Sequence, residues 1–107
     1  MPQYSYAVWT DAVEGREDEY NAWYNDIHLP EVLDVPGFIA AKRFRVLPAP
    51  DRPASHRYLA IYEIESDDPE ATLVTLTKAS ETMNMSGALE LTTVVTHLVE
   101  PIAELRR

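Results

Sequence analysis

The residue types in this chain that suit proton chemistry near neutral pH are histidine and tyrosine, and their spacing singles out His28. It follows Tyr20, Trp23, Tyr24 and Ile27, which stand at i, i+3, i+4 and i+7 and so predict one apolar helix face. His28 comes four residues after Tyr24, on the edge of that stripe. Leu29-Pro30 is expected to end the helix, because proline has no amide hydrogen and biases its predecessor away from helical angles. His28 is thus expected at a helix C-terminus, where the carbonyl end of the dipole favours the protonated ring. Read as catalysis, it is a general acid or base with an ordinary pKa of about 6.5. Read as structure, it is a cap satisfied by a backbone carbonyl.

Tyr24 and Tyr6 are the expected partners of His28, each able to hold a carbonyl or phenol oxygen or to protonate an enolate. Trp9, Trp23, Tyr58, Tyr62 and His97 are candidate substrate-binding walls. Each of these aromatics serves equally well in a core or a subunit interface, and His97 equally well as a structural histidine. Asn25 is expected to face solvent, and His56 to be exposed. No H-x-x-x-H or H-E-x-x-H spacing is present, so no metal is expected. Gly15, Gly37 and Gly87 build no phosphate cradle, Glu31, Asp34 and Glu63 make no recognisable acid pair, and no G-x-S-x-G elbow occurs. The expectation is chemistry without a cofactor.

Composition narrows the partners. The 107 residues predict one domain over 1–107. A net charge of −9 repels phosphate backbones and anionic lipid, so neither nucleic acid nor membrane is expected. The absence of cysteine excludes disulfides and thiolate nucleophiles. No basic start followed by an apolar run occurs, and no apolar stretch approaches the ~20 residues of a membrane span, so the expected location is the cytoplasm.

The elements that must position these residues follow from periodicity. Strand one is expected over 3–10, with Tyr4, Tyr6 and Val8 on one face and Ser5, Ala7 and Trp9 on the other. Helix one is expected over 16–28, with acids in its first turn. Strand two is expected over 38–47, with Phe38, Ala40, Lys42 and Phe44 in phase. Residues 48–56, with three prolines, read as a long loop suited to a lid or interface arm. Strand three is expected over 57–65, with Tyr58, Ala60, Tyr62 and Ile64 in phase. Helix two follows over 69–83, and strand four over 89–99. The order β-α-β-β-α-β closes as a four-stranded antiparallel sheet with both helices on one face. Its other face stays apolar, which predicts a homodimer.

The run W-Y-x-x-x-H-L-P, then P-G-F and an R-F pair, resembles the EthD-like family of the dimeric α+β-barrel superfamily. It comprises Trp23, Tyr24, His28, Leu29, Pro30, Pro36, Gly37, Phe38, Arg43 and Phe44. The resemblance implies a ferredoxin-like α+β protomer and a two-fold barrel-like dimer. It leaves the reaction open, because that superfamily hosts cyclases, dehydratases, isomerases, cofactor-free monooxygenases and haem enzymes. Three functions are expected candidates. The first is a cofactor-independent lyase, isomerase or cyclase acting on an apolar or aromatic oxygenated metabolite. The second is a cofactor-free monooxygenase of a phenol, and the third an accessory protein that binds a pathway intermediate unchanged.

Overall fold

A computed structural model describes residues 1–107. Strands β1 (Gln3–Thr10), β2 (Phe38–Arg45), β3 (Tyr58–Glu65) and β4 (Val95–Val99) form one sheet in the order β2-β3-β1-β4, all neighbours antiparallel. Helices α1 (Glu17–Trp23), α2 (Leu29–Leu33) and α3 (Pro69–Ser80) cover one face of it. This is the ferredoxin-like α+β fold that the element order predicts.

Register explains which side chains face the helices. Across the sheet, Ala41, Tyr62, Tyr6 and Leu98 form one inward row, and Arg43, Ala60, Val8 and Thr96 the next. The outward rows are Phe44, Leu59, Trp9 and Val95, then Lys42, Ile61, Ala7 and His97. One expectation changes here. Strand β2 slips register between Phe38 and Ala40. The extra residue breaks the two-residue alternation, so buried Phe38 shares the inward face with Ala41 and Arg43 instead of with Lys42 and Phe44.

Pro30 does not end the helix. The chain passes from α1 through a π-helical turn, Tyr24–His28, directly into α2. Leu29 N–H donates to the Tyr24 carbonyl five residues back. A turn widened by one residue loosens the ladder where proline cannot donate and where its ring would clash with the carbonyl four residues earlier. The same widening rotates the apolar stripe: Tyr20, Trp23 and Tyr24 are buried as expected, Ile27 turns outward, and His28, Leu29 and Val32 continue inward. His28 is therefore in mid-helix, not at a C-terminus, and the dipole argument does not apply to it.

Asp68 caps α3 by accepting the Ala71 amide at 3.1 Å, with Pro69 in the first turn. That helix ends at Ser80, three residues before the expected limit. Strand four is much shorter than expected, because Leu91–Thr93 forms a 3-10 turn. The Glu90 carboxylate accepts from both the amide and the hydroxyl of Thr92. Residues 89–94 are thereby left out of β4, and Leu89, Leu91 and Val94 help to wall a cavity. His56 is not free either: its Nε2 lies 2.6 Å from the Thr93 carbonyl, tying the proline-rich loop to that turn. No helix is long and apolar enough to cross a membrane.

Candidate functional site

A cavity of about 280 Å³ opens between the inward sheet face, the π-helical turn, α3 and residues 83–94. Tyr6, Val8 and Thr10 of β1, Tyr62 of β3, Tyr24 and His28 form its inner wall. Leu76, Met83 and Leu89 face them, and the exposed Met85 and Leu91 stand at the rim. No aspartate, glutamate, lysine or arginine lines it. An apolar chamber with a few convergent hydroxyls and one imidazole fits a small oxygenated molecule.

His28 is fixed on two sides. Its ring stacks on the Trp23 indole, centroids 4.7 Å apart and planes 22° apart, and meets the Tyr24 ring edge-on at 5.0 Å and 87°. Nδ1 is sealed from solvent without a hydrogen-bond partner. Burial pushes the pKa below its ordinary value, Glu31 opposing and Arg43 reinforcing the shift. The protonated ring expected from the sequence is therefore replaced by a neutral imidazole, the form that can accept a proton.

The tyrosines are set as donors. Tyr24 and Tyr62 share a hydrogen bond through their hydroxyls at 3.0 Å, and the Tyr6 ring lies 6.5 Å from that of Tyr62. Burial pushes Tyr24 up to about 12, with the bond from Tyr62 pulling the other way. Tyr62 is raised by burial and by the neighbouring Tyr24. Both stay protonated at neutral pH; one hydroxyl donates to the other, and the remaining proton of the pair can hold an oxygen that gains negative charge. Behind them Tyr20 bonds Thr10 through its hydroxyl, closing the end of the inner wall.

The wall 81–90 is tied to residues 11–13 through Ala88 and Glu90 and to the helix through Asn84. Glu31 of α2 accepts the Asn84 amide at 3.1 Å and its side-chain amide at 3.1 Å, while Trp23 Nε1 donates to the Asn84 carbonyl at 2.6 Å. The helix that carries His28 thus also holds Met83 and Met85 in place. These bonds join residues 53 and 61 positions apart, so no local pattern announces them.

Of the residues expected at a site, the cavity brings together His28, Tyr24, Tyr6 and Tyr62. Trp23 backs His28 without lining the space. Tyr58 is a core residue, its ring 5.0 Å from that of Tyr20 and its hydroxyl accepting from Asn21 at 3.3 Å. Trp9 and His97 lie on the opposite sheet face, because each sits one residue out of phase with Tyr6 and Leu98. Asn25 is exposed as expected, yet its Oδ1 also accepts from Arg43 at 2.8 Å. Thr10, Met83, Met85 and Leu89 are lining residues that the sequence did not single out; the one readable signal was that Thr10 continues the phase of Tyr6 and Val8.

Comparison with known proteins places this geometry on a shared scaffold. The chain is similar to an ethyl tert-butyl ether D (EthD) family protein from Bacillus halodurans, with 11% identity, TM-score 0.62, and 95% of this chain and 100% of that one covered. It is similar to a dimeric ferredoxin-like protein from Jannaschia, with 9% identity, TM-score 0.60, and 92% and 99% covered. It is also similar to SnoaB, a cofactor-independent oxygenase from Streptomyces nogalater, with 13% identity, TM-score 0.60, and 100% of both chains covered. At such identities the likeness is one of fold. No curated protein sequence matches the chain. A family model described as "Domain of unknown function (DUF4286)" matches residues 3–82, which include β1 to β3 and the helix bearing His28, and the chain belongs to that family.

Proposed function

We propose that this protein is a cofactor-independent enzyme that removes a proton from an uncharged, oxygenated metabolite of about one or two rings. The observation that carries the reading is His28, stacked on Trp23, lining an apolar cavity whose other polar side chains are hydroxyls of tyrosine, threonine and serine; burial favours its neutral ring. His28 takes the proton beside a carbonyl, and Tyr24 or Tyr6 donates to the enolate oxygen as charge develops there. Dehydration, isomerisation and ring closure all begin with this step. A carboxylated substrate would lack a cationic partner in the cavity, and so would the two acid groups of a haem.

A second reading shares that first step. An electron-rich phenol deprotonated by His28 is primed to react with dioxygen, and the fold shared along the whole chain with a cofactor-independent oxygenase favours testing it. A third, binding of an intermediate without conversion, needs the same chamber. As for assembly, the outward face leaves Phe44, Val95 and Val99 exposed beside half-buried Trp9, Leu59 and Ile61. A second copy packed on that face by two-fold symmetry buries it, giving the dimeric α+β barrel.

The test is incubation with a panel of uncharged enolisable ketones and phenols, in air and under argon, with products followed by mass spectrometry. Conversion that survives argon and disappears in folded His28→Gln supports the first reading. Conversion that requires air supports the second. Retention of an unchanged ligand supports the third.

A further inference from the structure

Arg43 is a cation with an unusual set of neighbours. It is half-buried, and none of the ion pairs of the chain involves it. Its terminal nitrogens donate to uncharged oxygens, Nη1 to Asn25 at 2.8 Å and Nη2 to Asn21 at 3.0 Å, while Nε is sealed without a partner. The guanidinium lies against the Tyr24 ring at 4.3 Å, with Tyr20 at 5.2 Å and Tyr58 at 5.5 Å. A partly desolvated charge is usually paired with a carboxylate. Here the two asparagines engage its terminal nitrogens without neutralising it, and it lies against a tyrosine that also lines the cavity.

We propose that Arg43 is a positioning residue whose charge, held behind Tyr24 by Asn21 and Asn25, offsets part of what burial costs the anionic form of a phenol or enol in the cavity. The inference rests on the cavity being the reaction site. The balance is that of a simple proton transfer: the substrate loses H⁺ to His28, and the anion left behind is held by Tyr24 within the field of Arg43. Over the short, poorly hydrated path through an aromatic ring, such a charge is weakly screened. The same charge favours the anionic form of Tyr24 and the neutral form of His28. The other titratable groups around Arg43 are Tyr20 and Tyr58 against it and Asp18 and Arg45 in the outer cleft, while Glu31 acts on His28 with opposite sign.

The probe is 4-nitrophenol, whose bound phenol and phenolate are distinguished by absorbance. Bound to the native protein, it should ionise about one pH unit lower than when bound to folded Arg43→Gln, a tenfold difference in the bound anion-to-phenol ratio. Arg43→Lys should keep part of that difference. Asn25→Asp supplies the decisive variant, because Asn25 is exposed and the isosteric carboxylate keeps an acceptor for Arg43 Nη1. A carboxylate there should neutralise the guanidinium and bring the ionisation of the bound probe to that seen in Arg43→Gln while the protein stays folded. Equal ionisation of the probe in native protein and Asn25→Asp overturns the proposal. If 4-nitrophenol does not enter the native cavity, the site reading fails, and the His28 titration followed by NMR still decides the role of Arg43. Asn25→Asp and Arg43→Gln should both raise the pH at which His28 titrates, and an unchanged value overturns the proposal.

Discussion

The imidazole of His28 lies flat on the indole of Trp23, ring centroids 4.7 Å apart, while its Nδ1 has no hydrogen-bond partner. Stacking fixes the ring plane without using a ring nitrogen. The π-helical turn produces this arrangement, by carrying His28 into the buried stripe that Ile27 leaves.

The burial of His28 should be visible in stability. The folded residue takes up its proton at lower pH than the unfolded one, which does so near 6.5. Between those two values the unfolded chain binds more protons, so the contribution of His28 makes stability rise with pH there and level off above about 6.5. Urea unfolding from about pH 5 to about pH 8 should show this slope, and His28→Phe, which keeps the stack on Trp23, should flatten it. Any activity should fall along the same acidic limb.

Tyr24 and Tyr62 form a buried hydroxyl pair. Removing either hydroxyl leaves the other without its partner, so Tyr24→Phe and Tyr62→Phe should each cost about 1–3 kcal/mol. The double variant should cost less than the sum of the two. A double-mutant cycle by chemical denaturation measures that coupling, expected at about 0.5–3 kcal/mol. Strict additivity would mean the bond contributes nothing.

Gly37 sits at φ +97° in the turn into β2, and a Cβ there would come within 3.0 Å of Thr72 Cγ2. Gly15 has φ +82° and open space around it. Gly15→Ala should therefore cost only the left-handed backbone penalty, about 1–2 kcal/mol. Gly37→Ala adds the steric conflict with α3 and should lower Tm further, by at least ~4 °C beyond Gly15→Ala. Thermal melts of the two variants side by side check the difference.

A charge placed on the outward sheet face should separate the proposed dimer. Trp9→Glu sits in the middle of the row Phe44, Leu59, Trp9 and Val95, where a second copy would bury it. Burial of an unpaired carboxylate is strongly unfavourable. Light scattering after size exclusion should give about twice the chain mass for the native protein and a monomer for Trp9→Glu. A native monomer would remove the barrel from the account.

Much of the scaffold was legible because its signals are local. The alternation through Tyr58, Ala60, Tyr62 and Ile64 gives β3 and its buried face, and Asp68-Pro69 marks the start of α3. Tyr6, Tyr24 and His28 could be expected near one another from the apolar stripe and strand phase. What escaped depended on tertiary context. Pro30 reads as a stop, yet packing of Val32 and Val35 holds the helix through a widened turn. Phe38 changes face because of a bulge whose extra residue has no signature in the run FIAAKRF. Trp9 and His97 look chemically apt and stand on the wrong side of the sheet, because aromatic type says nothing about which face borders a cavity. The Asn84 clamp joins distant segments and was invisible for that reason.

The account stands on His28 as a base in an apolar chamber, and solvent deuterium exchange tests it most directly. The protein is incubated in D₂O with uncharged one- and two-ring ketones, and uptake at the carbon beside the carbonyl is read by mass spectrometry. The account predicts catalysed exchange of at least one ketone, slowed about 10²–10⁴-fold in folded His28→Gln and also slowed by Tyr24→Phe. Exchange at the native rate in His28→Gln would contradict it.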